Sequence, residues 1–385
     1  MNTDETVAGH GPGERAHPWW RQKPVLATAV ALLVAVGVLV GIAVHSAGQY
    51  FVFAPGTAPL VTTSSNCKPQ GGELALPDGT PCVRLVVPRS KAHAVSGRLL
   101  MVDVEVSQAS PVDWAEYELG LLGSQRQFVS VVAYAGDTPT SELGCQDTQQ
   151  MVSANQDAAM AAFRALHYPV KEKKLGAQIE AVLSGTPAWN AGIKCNDVIT
   201  AVDGKPVDSA TQFVTVLRRL SPGTTVTLAD HRDGAKTAKQ VKVRLTTPPP
   251  GLASRVYLGV AVQTMVKPEL PFHVSVNAGG IGGPSAGLAF TLAILDTLTA
   301  GELTGGHTVA ATGTITPDGQ VGPVGGVQQK TIAVERAGAQ VFFVPAAEYS
   351  QAKLVASKRL HVVPVSTLQQ ALRVLKDRYG GHLPQ

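Results

Sequence analysis

The sequence predicts an α+β multidomain chain that opens on a transmembrane helix and closes on an α/β domain built around a glycine-rich loop. Three observations carry this. No Asp, Glu, Lys or Arg occurs between Pro24 and Cys67, and Val25 to Val44 (VLATAVALLVAVGVLVGIAV) is a continuous apolar run. Short apolar runs then alternate with turn residues, the signature of strands. Late in the chain a short strand enters the loop NAGGIGGPSAG, and the long apolar helix LAFTLAILDTLTA leaves it.

The first element is a membrane span. A helix of 20 residues rises far enough to cross the roughly 30 Å hydrocarbon core. The apolar region of a cleaved signal peptide is shorter, about 7–15 residues. Arg15, Arg21 and Lys23 precede the run and no basic residue follows until Lys68. The positive-inside rule therefore places residues 1–24 in the cytoplasm, 25–45 in the bilayer and the rest outside the cell membrane. On that oxidising side, Cys67 and Cys82 lie in one short Pro/Gly-rich stretch and are expected to form a disulfide; the pairing of Cys145 and Cys195 stays open.

Composition narrows the function classes. Among 385 residues, 32 Lys+Arg against 28 Asp+Glu leave a charge of +4 spread along the chain, which argues against nucleic acid as a partner. None of the four cysteines falls in a C-x-x-C pair, and no histidine falls in H-E-x-x-H or its reverse, so no metal site is expected. No G-x-x-x-x-G-K-[ST] phosphate loop occurs, and no cofactor is expected.

Residues 46–165 read as a β-rich membrane-proximal region (CVRLVVP, RLLMVDVEV, FVSVVAY) closed by a helix near 146–166. The run TTPPPG at 246–251 reads as a stiff linker and domain boundary. Between helix and linker, residues 166–247 contain AWNAGIKCNDVITAVDGKPV, followed by a helical pattern that packs Phe213, Val216 and Leu217 on one face. This string resembles the core of bacterial PDZ domains, with Asn196 where Gly is usual and Cys195 where Pro is usual. The resemblance implies a groove between a strand and the helix that takes an extended peptide tail by strand addition. Lys174, Leu175, Gly176 and Ala177 are the candidate carboxylate-binding loop.

Residues 252–378 carry the chemistry. Ser285 lies where the glycine-rich loop meets the apolar helix, so the backbone N–H groups from Gly283 through Ala286 lack helical partners and favour a developing negative charge. Four readings fit the loop: a phosphate cradle, which lacks a full G-x-G-x-x-G; a packing turn; a hydrolase elbow in G-x-S-x-G, with Asp318 and His361 following in order; and a serine–lysine dyad. The last draws on Lys330, which shares a helical face with Val327, Ala333, Val334 and Ala337. An amine buried on such a face loses basicity by desolvation and can take the serine proton.

Here the sequence resembles the proteolytic domain of Lon-type proteases, peptidase family S16, in its GPSAG loop and its TGTI…GPVGGVQQK segment. The resemblance implies Ser285 as nucleophile, Lys330 as general base, Thr312 as the residue orienting the amine, and backbone amides of Gly283, Ser285 and Ala286 as the oxyanion hole. Gly282 departs from the pattern, standing where many Lon proteases carry Asp. The order of anchor, β-rich segment, PDZ and Lon-like domain, with FVFAPGTA (51–58) and MVSANQDAAMAAFRALHY (151–168), resembles the membrane-anchored PDZ–Lon-like proteases of Gram-positive bacteria. What it implies is an ATP-independent serine endopeptidase acting on extracytoplasmic proteins, whose PDZ domain recruits substrate tails. A catalytically silent peptide-binding adaptor and a Ser-Asp-His esterase are the alternatives. The oligomeric state is open, a homo-oligomer included.

Overall fold

The computed structural model describes residues 23–382 apart from 72, 122, 124, 137, 233, 234 and 253, so Arg15 and Arg21 lie outside the described residues. The helices used below are α1 (Lys23–Ala47), α2 (Pro111–Glu118), α3 (Thr140–Ala165), α4 (Ala210–Arg218), α5 (Gly287–Leu298) and α6 (Val327–Arg336). The strands are β1 (Leu60–Thr62), β2 (Cys82–Val86), β3 (Arg98–Leu100), β4 (Lys171–Val182), β5 (Val198–Val202), β6 (Thr225–His231), β7 (Lys239–Arg244), β8 (Val260–Glu269), β9 (Ser275–Asn277), β10 (Thr308–Ala311), β11 (Val341–Pro345) and β12 (His361–Val365).

The chain divides into two units, one of residues through 50 with 108–122, the other of residues 51–107 and 123 onward. In the first, α1 is long and apolar enough to cross a membrane over Thr28–Ala47, and α2 begins with a capping box in which Ser110 and Asp113 satisfy each other's backbone N–H groups.

The second unit is built on two large sheets. One has seven strands in the order β9-β2-β1-β3-β10-β11-β12, parallel from β3 through β12. Its strands come from both ends of the sequence, since β1, β2 and β3 belong to the segment read as a separate membrane-proximal region. That reading of 46–165 as a region of its own is corrected here. Val61, Val83, Leu85 and Leu99 share one core with α3, α5 and β11. Local periodicity marks a strand but not its partner, and β3 pairs with β10, over 200 residues away.

Helix α5 is mostly apolar and buried on every face, Thr291, Asp296 and Thr297 included, which fits a helix packed on all sides. Phe290, Leu292, Ile294 and Leu295 are wholly buried, each contributing about 1.5–3 kcal/mol of transfer free energy. The second sheet runs β7-β6-β5-β4-β8, with α4 packed on it through Phe213 and Leu217. Its edge strand β8 lies beyond the predicted linker. Thr246 and Tyr257 bond to each other on either side of 246–251, so the proline run is a loop returning to the same sheet and not a spacer. Disulfides join Cys67 to Cys82, and Cys145 at the start of α3 to Cys195 before β5.

Candidate active site

Three elements converge on Ser285. The loop after β9 delivers the serine one residue ahead of Ala286, the N-cap of α5. Helix α6 delivers Lys330, which its spacing with Val327, Ala333 and Val334 turns inward; the amine-bearing residue is only 3% exposed. The turn after β10 delivers Thr312, fully buried. Gly326 opens α6 in a left-handed conformation (φ 65°), and a Cβ there would meet Val104 Cγ2 at 2.7 Å.

The Lys330 amine donates to Ser285 Oγ at 2.7 Å and to Thr312 Oγ1 at 3.4 Å, while the Thr312 hydroxyl donates to the Ser285 carbonyl at 3.2 Å. Gly313 N–H, at 2.9 Å, also binds that carbonyl. The serine backbone is thus held by the residue that also orients the amine. Desolvation brings the Lys330 pKa down from 10.5 to about 8, against the opposing pull of the Asp103 carboxylate. An amine that gives up its proton near pH 8 has the basicity to take one from a neighbouring hydroxyl.

The backbone donors are two, not three. Gly283 N–H is occupied by the Asp147 carbonyl at 2.9 Å, which removes it from the expected oxyanion hole. Among the described residues, Ser285 N–H and Ala286 N–H have no protein acceptor. The cleft beside Ser285 and Ala286 is about 530 Å³ and is lined by the serine loop, Lys330, Phe53, Tyr134 and α3. Asp318 and His361 do not reach it. Asp318 is exposed and pairs with Arg164 at 2.7 Å, and the exposed His361 ring bonds to Tyr379. No hydrolase triad is assembled.

The candidate carboxylate loop is also corrected. Lys174 to Ala177 lie inside β4, paired with β8 from Val266 to Thr264, and form no loop. A loop that enters the edge strand beside α4 does exist, at Tyr257-Leu258-Gly259-Val260. Among the described residues the N–H groups of Leu258 and Gly259 reach no acceptor. Between β8 and α4 runs a groove of about 550 Å³ lined by Gln212, Val216, Arg219, Thr264 and, from β4, Lys174. The Leu-Gly pair followed by alternating apolar residues at 258–262 was the available signal, but the same pattern at 175–179 competes with it.

With this geometry in place, comparison with known proteins is informative. Residues 161–243 match the PDZ domain family and residues 255–377 the Lon protease (S16) C-terminal proteolytic domain. The chain carries a PDZ domain and a Lon-type proteolytic domain. Similar proteins include the Lon protease of Chloroflexus aggregans (32% identity over 123 residues, 31% of this chain and 15% of that protein) and the Lon protease of Malacoplasma penetrans (47% over 79 residues, 20% and 10%). A probable periplasmic serine endoprotease, DegP-like, of Chlamydia pneumoniae is 34% identical over 144 residues, 34% of this chain and 28% of that protein. The chain spans less than a third of the length of each of these relatives. The Lon-type match begins ahead of β8, so the PDZ sheet is completed by a strand that the proteolytic family counts as its own.

The buried amine of the Lon-type domain has a stability consequence. Between pH 8 and pH 10.5 the unfolded chain holds a proton on Lys330 that the native state lacks, so stability rises with pH across that window. Below it the burial costs about 3 kcal/mol, partly returned by two hydrogen bonds of about 1 kcal/mol each. Lys330→Met should therefore raise stability by about 1–2 kcal/mol at pH 7, with the gain shrinking towards pH 10.5. Urea unfolding at both pH values reads this out, and a gain that is equal at both would show that the amine is not desolvated.

Proposed function

We propose that this protein is a membrane-anchored, ATP-independent serine endopeptidase that cleaves extracytoplasmic proteins through a Ser285–Lys330 dyad. The observation that carries the reading is the 2.7 Å contact of a nearly water-free lysine amine with a serine hydroxyl at the head of a buried helix. In the acylation step Ser285 Oγ attacks the peptide carbonyl carbon as its proton passes to the Lys330 amine. The oxygen bears the negative charge against Ser285 N–H and Ala286 N–H. The lysine ammonium then protonates the departing amine, and the reverse sequence with water releases the acid. Thr312 fixes the amine in line with the hydroxyl. Helix α1 with its basic N-terminal flank supports an anchor with the cytoplasmic end first.

Incubating an unstructured protein with the full chain in detergent micelles and mapping the products by mass spectrometry tests the reading. New internal cleavage sites are expected, and none with Ser285→Ala. Cleavage that survives in Ser285→Ala would sink it.

The PDZ groove supports recruitment of free C-terminal tails, with the carboxylate on Leu258 and Gly259 N–H and the tail paired along β8. A tail peptide and its C-amidated form should then differ in affinity by about tenfold or more. Equal affinity by titration calorimetry would remove carboxylate recognition.

A further inference from the structure

Helix α3 is the wall of the cleft that no sequence motif announced. Leu143, Gln146, Asp147, Gln150 and Met151 recur three and four residues apart, and all five line the cleft. Asp147 is the charged one. Its carbonyl accepts the Gly283 N–H at 2.9 Å, and its Cβ lies 2.8 Å from where a Cβ on residue 282 would stand. The glycine at 282, where the resembling proteases carry Asp, thus makes room for an acid brought from another element to the same side of the serine loop.

The charge of Asp147 is uncommitted. Half-burial raises its pKa, and among the described residues no hydrogen bond or ion pair reaches its carboxylate. The second carboxylate of the cleft, Asp103, is already engaged by Thr57 N–H at 2.6 Å and the Thr57 hydroxyl at 2.8 Å. Lys330 is the cation among the lining residues, and its amine is turned to Ser285 and Thr312. Around these groups the walls are Phe53, Val104, Val106, Leu143 and Met151, which suit the methylene stem of a long side chain.

We infer that Asp147 is the specificity-determining residue of the cleft and selects substrates that present Lys or Arg beside the cleaved bond. This rests on the endopeptidase reading above. A basic side chain laid along the apolar wall brings its cation to a half-buried carboxylate that has no protein partner among the described residues, in a site of reduced dielectric where the pair outweighs an exposed one. A Glu in the same place would meet two carboxylates.

Matched peptides carrying Lys, Arg, norleucine, Gln or Glu at each of three positions either side of one bond provide the test. In the wild-type protein Lys and Arg should exceed norleucine in kcat/KM by about tenfold at one position. Asp147→Asn keeps shape and the backbone contact to Gly283 but should level Lys, Arg and norleucine, mainly through KM. Asp147→Glu should restore most of the preference, and Asp147→Lys should turn it towards Glu. Affinity of the same peptides for Ser285→Ala, read by fluorescence anisotropy, needs no turnover and should rank them identically. A wild-type protein indifferent to charge, or Asp147→Asn with the preference intact, overturns the assignment. If no peptide is cut, yet Ser285→Ala binds basic peptides selectively and Ser285→Ala with Asp147→Asn does not, the protease reading fails while recognition of basic side chains by Asp147 is retained.

Discussion

Lys330→Gln is expected to lower peptide turnover by on the order of 10³-fold or more, close to the loss from Ser285→Ala, because a nucleophile and its base act as one unit. Gln is similar to Lys in length and can keep a hydrogen bond to Ser285, yet it cannot take the serine proton. The double variant should therefore be scarcely worse than either single one. In the wild-type protein kcat/KM should climb with pH through about 8, as Lys330 sheds its proton. His361→Ala should leave turnover within about twofold, since the ring faces Tyr379 and not the cleft. Near-normal cleavage by Lys330→Gln with a dead His361→Ala would defeat the dyad.

Loss of the Cys145–Cys195 bridge is the second large effect expected. The bond closes a loop over 50 residues of sequence, for which chain entropy predicts about 4 kcal/mol of stabilisation. Replacing both cysteines by Ser should cost stability of that order in urea unfolding, about 1 kcal/mol more than for the shorter Cys67–Cys82 loop. Cys145 precedes Asp147 by two residues on α3, and the Asp147 carbonyl holds the serine loop. The double Ser variant should accordingly also show faster amide exchange at Gly283. Unchanged exchange there would mean that the loop is ordered without the bridge.

The contact between Ser285 and Lys330 was legible because both residues lie in short, contiguous patterns. A serine in GPSAG and an inward-turned lysine in GGVQQK can each be read from local spacing, whereas Thr312 entered only through the resemblance of its TGTI string to the Lon-type pattern. What escaped was set by tertiary placement. Nothing near Asp147 in sequence shows that its carbonyl takes the Gly283 N–H, so the expected set of unpaired loop N–H groups was one donor too large. The two Leu-Gly patterns, at 175–176 and 258–259, look alike as strings. Only the strand order, with β8 at the edge and β4 inside, decides which one faces α4. The strands β2 and β3 were legible as strands, but their sheet was not, because most of its other strands are encoded beyond the PDZ segment.

The pairing of Lys171 with Glu269 gives that long detour an unexpected economy. The halves of the seven-stranded core are separated during synthesis by the whole PDZ segment, and joining them directly would mean closing a loop of roughly a hundred residues. Once the PDZ sheet has formed, its first and last strands lie side by side, so the effective loop shrinks to a few residues. At about 0.6 kcal/mol per halving of loop length, some five halvings return about 3 kcal/mol. The inserted domain is then a folding clamp for its host. Excising it and joining the cut ends through a flexible linker should slow refolding of the protease core, and residues 255–377 expressed alone, without β1, β2, β3 and α3, should fail to fold.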